Sequence, residues 1–353
     1  MASVLSRAQG LNSRPGSIFF ILTVLCSTAA AASGEGAGLS DPIESQGLGL
    51  PLTCQLGGTC WVANYVDVDP TEAVRDFRCK GRTYNTHDGT DFAIRDLAVM
   101  EQGVPVVASA QGTVRRVRDG VGDAMLTDEG ARTRIAGREC GNGVVIDHDG
   151  GWQTQYCHLR RGSLRVRAGD RVERGSPLGL VGLSGRTEFP HVHLTVRRNG
   201  RVVDPFTGRL QSAGCGGEVK PLLRADAHVA YEDVALYNAG FSDSRPDVEA
   251  IRSGRLKDGS LSPIAAALVL WVDVFGVQAG DRVRFRINGP EGRVILDKEE
   301  LVSRTQARRF MFAGQRRQGN GWLPGTYSGQ VTLVRTVDGH PTERSVSRTA
   351  TIQ

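Results

Sequence analysis

Residues 141–159 read GNGVVIDHDGGWQTQYCHL and decide the fold class. Two β-prone runs flank the turn signal DHDGG, which is the pattern of an antiparallel hairpin. A second hairpin is indicated at 191–205, HVHLTVRRNGRVVDP, where two runs flank Asn-Gly. Short β-prone runs broken by glycine continue at 99–117 and 163–182, and helical signals are sparse. The sequence therefore predicts an all-β fold.

The length of 353 residues suggests two domains, and 40% hydrophobic residues are enough for a core in each. We expect a first domain at 50–209, an antiparallel β-sheet that carries the functional residues. Residues 210–221, LQSAGCGGEVKP, have the composition of a linker. Residues 222–353 are expected to form a β-sandwich of the immunoglobulin-like type. Its clearest strand signals lie at 267–275, 282–287, 308–314 and 325–335.

The N-terminus has the layout of a secretory signal peptide. Arg7 and Arg14 precede the apolar run IFFILTVLC at 18–26, and the small-residue stretch STAAAASG follows. The run is too short to span a bilayer comfortably, although an N-terminal membrane anchor is the alternative reading. We expect a signal peptide at 1–32 and an exported mature chain without a membrane span, either periplasmic or secreted.

The cysteines agree with export, because an even number in an exported chain indicates disulfides. Six remain after Cys26 is set aside: Cys54, Cys60, Cys79, Cys140, Cys157 and Cys215. Folding the 141–159 hairpin brings Cys140 and Cys157 within about two residues of register, an offset that a β-bulge can absorb. The other pairings stay open. Zinc binding by the cysteines is disfavoured, since no Cys-x-x-Cys pair exists.

Histidines and one aspartate form a second pattern. His87 and Asp91 lie four apart in NTHDGTDFAI, and in an extended chain even spacing places both on one face. Gly89 permits a bend between them, whereas Asp88 would point to the opposite face. His191 and His193 also share one face of a strand. If one of this pair joins His87 and Asp91, two imidazoles and a carboxylate create a donor set for catalytic zinc.

His158, which follows a β-prone run, could approach the water at this zinc site. Each motif alone is weak, because His-x-His more often marks an ordinary surface strand. His148 is expected to be a turn residue, and His228 and His340 are expected to be solvated. A polar, glycine-rich stretch at 118–138 is expected to be an exposed loop.

Three motifs in order, HDGTD, YCHL and HVHLTV, resemble the lysostaphin-type zinc endopeptidases, also called the β-lytic metallopeptidase family. These enzymes cut the peptide part of bacterial peptidoglycan. The resemblance extends over about residues 80–206 and includes VRAGDRVERGSPLGLVGLSGRT and RRNGRVVDP. Two departures are the inserted stretch 118–138 and the residues Glu188 and Phe189, where the family usually has small side chains. The C-terminal domain is not covered.

The resemblance implies that His87, Asp91 and His193 are the zinc ligands. It implies that His158 and His191 are the two catalytic histidines, without saying which is the base. Tyr84, three residues before His87, is a candidate additional oxyanion donor. The implied function is a zinc metalloendopeptidase that acts on peptidoglycan stems or cross-bridges.

Two alternatives stay open at this level. A non-catalytic relative that binds the wall or activates a hydrolase would typically have lost ligands, and all five positions are filled here. A secreted zinc peptidase with another protein substrate would carry the same motifs.

Charge indicates the kind of partner. The formal net charge is +5, and arginines are frequent between residues 160 and 201. A basic face could bind nucleic acid, but an exported chain meets little of it, whereas carboxylates and phosphates of the cell wall would favour contact with such a face. The alternative is an ordinary solvated β-surface.

Residues 222–353 carry no catalytic motif. The first hypothesis is that they hold wall or a partner protein and are not needed for bond cleavage. The second is that they pack on the first domain and stabilise it.

Overall fold

The computed structural model describes residues 41–125, 133, 135–227, 229–256, 260–337 and 339–353. The expected signal peptide lies outside these ranges, as do His228 and part of the expected loop at 118–138. None of the helices in the described ranges combines the length and hydropathy of a membrane-spanning segment.

The first half of the described chain forms an eight-stranded antiparallel sheet with two short helices. The helices are α1 (Pro42–Gln46) and α2 (Leu97–Gln102). The strands are β1 (Cys60–Asn64), β2 (Thr90–Ile94), β3 (Pro105–Val107), β4 (Gly112–Arg118), β5 (Asn142–Asp147), β6 (Trp152–Leu159), β7 (Arg171–Val172), β8 (Pro177–Leu180), β9 (His191–Arg198) and β10 (Arg201–Val202). The order in the main sheet is β1-β2-β9-β6-β5-β4-β7, with β10 paired to β9, while β3 and β8 form a separate pair.

Both predicted hairpins are confirmed. β5 pairs with β6 across the DHDGG turn, and β10 pairs with β9 across Asn-Gly. The β-prone reading of 99–117 is wrong at its start, because residues 99–102 belong to helix α2. The carboxylate of Asp96 caps that helix by accepting a hydrogen bond of 2.9 Å from the Val99 amide, and Gly103 ends it. A local capping interaction therefore outweighed the β-propensity of the valine.

The second half is a sandwich of two sheets. It contains β11 (Ala235–Ser242), α3 (Val248–Arg252), β12 (Ser260–Leu261), β13 (Ala267–Val277), β14 (Arg282–Asn288), β15 (Val294–Leu301), β16 (Gln306–Arg316), β17 (Gly325–Val337) and β18 (His340–Ile352). One sheet has the order β11-β13-β16, and the other has the order β12-β18-β17-β14-β15. Strands β11, β12, β15 and β18 were not predicted, and in β15 and β18 the exposed, charged sequences give a weak strand signal.

The sandwich has its own apolar core between the two sheets. Phe241, Leu270 and Val272 from one sheet meet Phe285 and Val331 from the other, and all five are buried. Alternate residues of β17 point inward, as the two-residue period of a strand requires. A β-sandwich in 222–353 is therefore present, whereas its immunoglobulin-like type and the exact domain boundaries stay predictions.

Aromatic side chains join the sandwich to the first sheet. Trp61 and Ala93 of the first sheet form one buried cluster with Ala235, Tyr237 and Phe275 of the sandwich. The rings of Trp61 and Tyr237 meet edge to face with centroids 5.9 Å apart. The two parts of the chain therefore share a packed apolar interface.

Three disulfides are formed among the described residues, and all six expected cysteines take part. They are Cys54–Cys60, Cys79–Cys215 and Cys140–Cys157. The predicted Cys140–Cys157 bond is confirmed, and the β5–β6 ladder has the expected bulge between Asn142 and Val144. Cys79–Cys215 attaches the predicted linker covalently to the first domain.

Candidate metal centre

Strand register brings Asp91 and His193 together. Asp91 on β2 is paired directly with His193 on β9, and on the other side His193 is paired with Cys157 on β6. Side chains of directly paired residues stand on the same face of a sheet. His193 therefore lies beside Asp91 although 102 residues separate them.

His87 reaches the same place from the turn before β2. Its Nε2 lies 3.2 Å from Asp91 Oδ1 and 3.1 Å from His193 Nδ1. His193 Nδ1 lies 2.9 Å from Asp91 Oδ1. The three residues offer ligand atoms that all lie within 4.8 Å of one another, and all three are buried. Within the described ranges this is the one such cluster of histidine, cysteine and acidic side chains.

His87 and His193 each use one ring nitrogen for hydrogen bonds that point away from the cluster, here called the outer nitrogen. These bonds decide that the other ring nitrogen faces the centre. His87 Nδ1 lies 2.6 Å from the carbonyl of Tyr65, which can only accept, so Nδ1 carries the proton. His193 Nε2 lies 3.0 Å from Thr195 Oγ1 and 3.2 Å from Asp88 Oδ1. In the neutral ring, which is the form that binds a metal, a proton on Nε2 shared with these oxygens leaves His193 Nδ1 unprotonated. Two imidazole lone pairs and a carboxylate then converge, as at a zinc site with its supporting hydrogen bonds.

The electrostatics favour a cation at this point. Burial opposes a charged His193, but hydrogen bonds to Asp88 and Asp91 outweigh it and raise the pKa of His193 to about 9. Burial would raise the pKa of Asp91, yet His87 and His191 hold it well below its ordinary value. The donor set of His87, Asp91 and His193 therefore fits a zinc ion.

Two supporting residues were not found by sequence reasoning. Asn64 on β1 donates a hydrogen bond of 2.8 Å to Asp91 Oδ2, and no motif marks this asparagine. Asp88 was expected to point away, and this expectation is wrong. Thr86 has a φ of +64°, so the chain turns here and strand alternation begins only at Thr90. The turn aims Asp88 at the outer nitrogen of His193 and at Arg197, 3.0 Å away.

The predicted bend at Gly89 is present, and the glycine is also needed for close packing. Its φ lies outside the left-handed region, but a Cβ at this position would lie 2.5 Å from His193 Nε2. It would also lie 2.7 Å from the carbonyl of Leu194. Gly89 therefore makes room for the His193 ring against the neighbouring strand.

His158 stands beside the cluster at the end of β6. It has a φ of +64°, and its amide donates to the carbonyl of Cys140, the disulfide partner of Cys157. Its Nδ1 donates to the carbonyl of Ser184 at 2.8 Å, so Nε2 is left unprotonated in the neutral ring. Burial, followed by the neighbouring His191 and His193, lowers the pKa of His158 well below its ordinary value.

His191 faces His158, with ring centroids 4.6 Å apart. Its Nδ1 lies 2.9 Å from the carbonyl of Phe189 and 3.0 Å from Thr187 Oγ1, so this nitrogen is held by the preceding segment. Its Nε2 lies 3.4 Å from Asp91 Oδ1. The structure thus brings all five sequence-predicted residues together.

A groove of about 310 Å³ opens at this cluster. It is lined by Asn64, Tyr84, Asp91, Arg186, Thr187, Glu188, Phe189, His191 and Ala307. The Tyr84 ring, which is 48% exposed and lines the groove, stacks on the His87 ring with centroids 4.3 Å apart. The Tyr84 hydroxyl is therefore carried by a ring at the edge of the groove. A larger cavity of about 500 Å³ near Trp152 and Arg198 contains none of the five residues.

The two other histidines in the described ranges, His148 and His340, do not join the centre. His148 is a buried turn residue whose nitrogens bond the Gln111 carbonyl and the Thr154 hydroxyl. His340 is exposed, as expected.

Comparisons with known proteins agree with the motifs. Residues 85–205 match the sequence profile of Peptidase family M23. A protein of Haemophilus influenzae described as an uncharacterized metalloprotease is 35% identical over 130 residues, covering 37% of this chain and 22% of the relative. Peptidoglycan DD-endopeptidase ShyA of Vibrio cholerae is 32% identical over 127 residues, covering 36% and 24% respectively.

The DD-carboxypeptidase/endopeptidase Mpg of Neisseria meningitidis is 34% identical over 125 residues, covering 35% of this chain and 23% of the relative. The chain thus spans less than a quarter of the length of these relatives. The profile match covers the part of the chain that holds the histidine cluster. The resemblance to the lysostaphin-type endopeptidases is confirmed, and residues 85–205 belong to Peptidase family M23.

Proposed function

We propose that the protein is a zinc metalloendopeptidase that hydrolyses peptide bonds in peptidoglycan stems or cross-bridges. The observation that carries this proposal is the convergence of His87 Nε2, Asp91 Oδ1 and His193 Nδ1 with two further imidazoles beside them. The name of the relative ShyA, a peptidoglycan DD-endopeptidase, supports the substrate class, and the name of Mpg supports endopeptidase activity.

In this proposal His87, Asp91 and His193 hold the zinc ion. When bound, zinc lowers the pKa of a coordinated water and polarises a carbonyl group. His158 and His191 each direct their Nδ1–H to a backbone carbonyl, so in the neutral rings Nε2 is unprotonated and can exchange protons with the reactants. One can accept the proton of the attacking water, and the other can hold the developing oxyanion or protonate the leaving amine. The Tyr84 hydroxyl is a further candidate donor to the oxyanion.

We also propose that the chain is exported to the periplasm or the medium after removal of residues 1–32. The three disulfides support export, since such bonds persist in oxidising compartments. The proposed substrate lies outside the cytoplasm as well. Binding of wall or of a partner protein by residues 222–353 stays a prediction.

The test uses purified mature protein and purified peptidoglycan. We expect one zinc per chain by metal analysis and release of peptide-linked fragments, identified by mass spectrometry. Activity should be lost on chelation and restored by zinc. His191→Ala should remove activity and retain zinc, whereas His340→Ala, which alters an exposed histidine far from the motifs, should behave as wild type.

Cleavage of a protein substrate with no cleavage of peptidoglycan would overturn the substrate assignment. Absence of zinc from active protein would overturn the metal assignment. Wall binding without cleavage by zinc-loaded protein would favour the non-catalytic alternative.

A further inference from the structure

Phe189 connects the candidate active site to the C-terminal sandwich. This residue lies two positions before His191 and is one of the two large side chains that depart from the family pattern. Its ring centroid lies 4.7 Å from that of His191 on one side. On the other side it lies 5.1 Å from that of Phe275, which belongs to strand β13 of the sandwich. Phe189 is therefore packed between the two parts of the chain.

Arg308 on strand β16 covers the same aromatic group. Its guanidinium carbon lies 5.6 Å from the Phe189 ring centroid and 5.7 Å from that of Phe275. These distances are within the range of cation–π attraction. The contact is formed entirely by sandwich residues on one side and by the segment before His191 on the other.

The position of Arg308 is fixed by a buried carboxylate. Arg308 Nη2 donates to Asp273 Oδ2 at 2.9 Å, and its Nε donates to the hydroxyl of Tyr237 at 2.9 Å. Asp273 also accepts hydrogen bonds from Arg252 Nε and Nη2 at 2.8 and 3.1 Å. Because Arg252 remains as a partner, loss of Arg308 would not leave Asp273 as an unpaired buried charge.

A hydrogen bond to the Phe189 backbone links the position of Phe189 to the orientation of the His191 imidazole. The carbonyl of Phe189 accepts the His191 Nδ1–H at 2.9 Å, and it also accepts the Thr187 hydroxyl at 2.7 Å. A shift of Phe189 would therefore turn the His191 ring. Reaction rates respond to such shifts, since a misplacement of about 1 Å can cost about 100-fold.

The sandwich also borders the groove. Ala307, the neighbour of Arg308 on β16, lines it together with Phe189 and His191. A substrate in the groove would contact this strand. The groove therefore has one wall supplied by residues far outside the family M23 match.

We propose that Arg308, Phe275 and Phe189 are positioning residues, through which the C-terminal sandwich holds the segment Thr187–His191 and completes the active site. The inference rests on the proposed function. It replaces the hypothesis that residues 222–353 are not needed for bond cleavage. It also gives a reason for the large side chain at position 189, because a small residue there would remove the contact of the first domain with the Phe275 ring and the Arg308 guanidinium.

The test compares two arginines that are neighbours on β16. Arg309 bonds the side chain of Gln306 and is not part of the aromatic group, so Arg309→Ala is the matched control. We expect Arg308→Ala in the full chain to lower kcat on a soluble peptidoglycan peptide by roughly 10- to 100-fold. KM should change by less than about threefold and zinc content should stay at one per chain, because ligands and groove remain. Arg308→Lys should recover part of the loss, since a cation over Phe189 is restored.

A second readout does not depend on activity. In protein labelled with ¹³C at histidine Cε1, the His191 signal should shift or split in Arg308→Ala and in Phe189→Ala. It should be unchanged in Arg309→Ala, and the His340 signal should be unchanged in all variants. Phe189→Ala tests the contact from the side of the first domain, should a sandwich variant fail to fold.

Equal kcat and an equal His191 signal in Arg308→Ala and Arg309→Ala would overturn the inference. An inactive wild type would instead overturn the proposed function, and the His191 signals would still decide whether the sandwich positions this residue.

Discussion

Asn64 and Asp91 are joined by a hydrogen bond of 2.8 Å from the asparagine amide to Oδ2 of the carboxylate. The other oxygen, Oδ1, lies 2.9 Å from His193 Nδ1 and 3.2 Å from His87 Nε2. Asn64 therefore holds one oxygen of Asp91 so that the other faces the two imidazoles.

Asn64→Ala should weaken zinc binding by about 10- to 100-fold while the protein stays folded, because supporting hydrogen bonds orient metal ligands. Competition with a chromogenic chelator measures this affinity. Asn288→Ala, in strand β14 of the sandwich, is the control. An affinity for Asn64→Ala equal to that of the control would show that Asp91 needs no such support.

Gly89→Ala should abolish or strongly reduce zinc binding. The added Cβ would lie 2.5 Å from His193 Nε2 and 2.7 Å from a backbone oxygen that cannot move freely, so the ring must shift. Gly81→Ala is a matched control in the preceding loop, because a Cβ there meets no described atom within 4 Å. Metal analysis after dialysis measures the result, and full zinc occupancy in Gly89→Ala would contradict the geometry.

Loss of the Cys140–Cys157 disulfide should affect both stability and catalysis. The bond spans 17 residues, and chain entropy gives it about 3 kcal/mol. His158 follows Cys157 directly, and its amide bonds the Cys140 carbonyl at 2.8 Å. Cys140→Ser with Cys157→Ser should therefore lower kcat as well as the free energy of unfolding.

The control for this variant is Cys54→Ser with Cys60→Ser, which removes a bond spanning six residues that is worth about 2 kcal/mol. It should lower stability with kcat unchanged. Denaturant unfolding and peptide turnover separate the two effects. Equal kcat in both double variants would mean that the disulfide does not position His158.

Asp204 should make stability depend on pH. Burial raises its pKa to about 7, although its Oδ1 accepts hydrogen bonds from the hydroxyl and amide of Thr207 and from the Phe206 amide. In the unfolded chain the carboxyl ionises near its ordinary pKa of 3.8. Between about pH 4 and pH 7 the folded state therefore holds the extra proton, and stability falls as pH rises through this window.

Asp204→Asn should remove that fall. The stability of wild type relative to the variant should drop by up to about 4 kcal/mol between pH 4 and pH 8. Denaturant unfolding at several pH values gives the difference, in which groups common to both proteins cancel. A difference that stays constant over this range would show that Asp204 is ionised in the folded protein.

The features that could be predicted from the sequence are those set by residues close together in the chain. Turn residues and a two-residue hydrophobic period specify both hairpins without reference to distant parts of the chain. The Cys140–Cys157 bond follows from one of those hairpins, because its closure brings the two cysteines together. The wrong strand prediction at 99–102 is also a local effect, because the Asp96 cap begins a helix there in spite of the β-propensity of the valine.

Local sequence patterns are sufficient to predict the all-β class, the hairpins and the identity of the five polar residues that meet. The folded structure was needed to establish the pairing of β2 with β9 that sets Asp91 opposite His193, and the convergence of Asn64 and Asp88 on that pair. It also decided the packing of Phe189 against Phe275 and Arg308. These contacts join residues far apart in the chain, and they depend on the register and packing of whole sheets, which no local pattern of residues specifies.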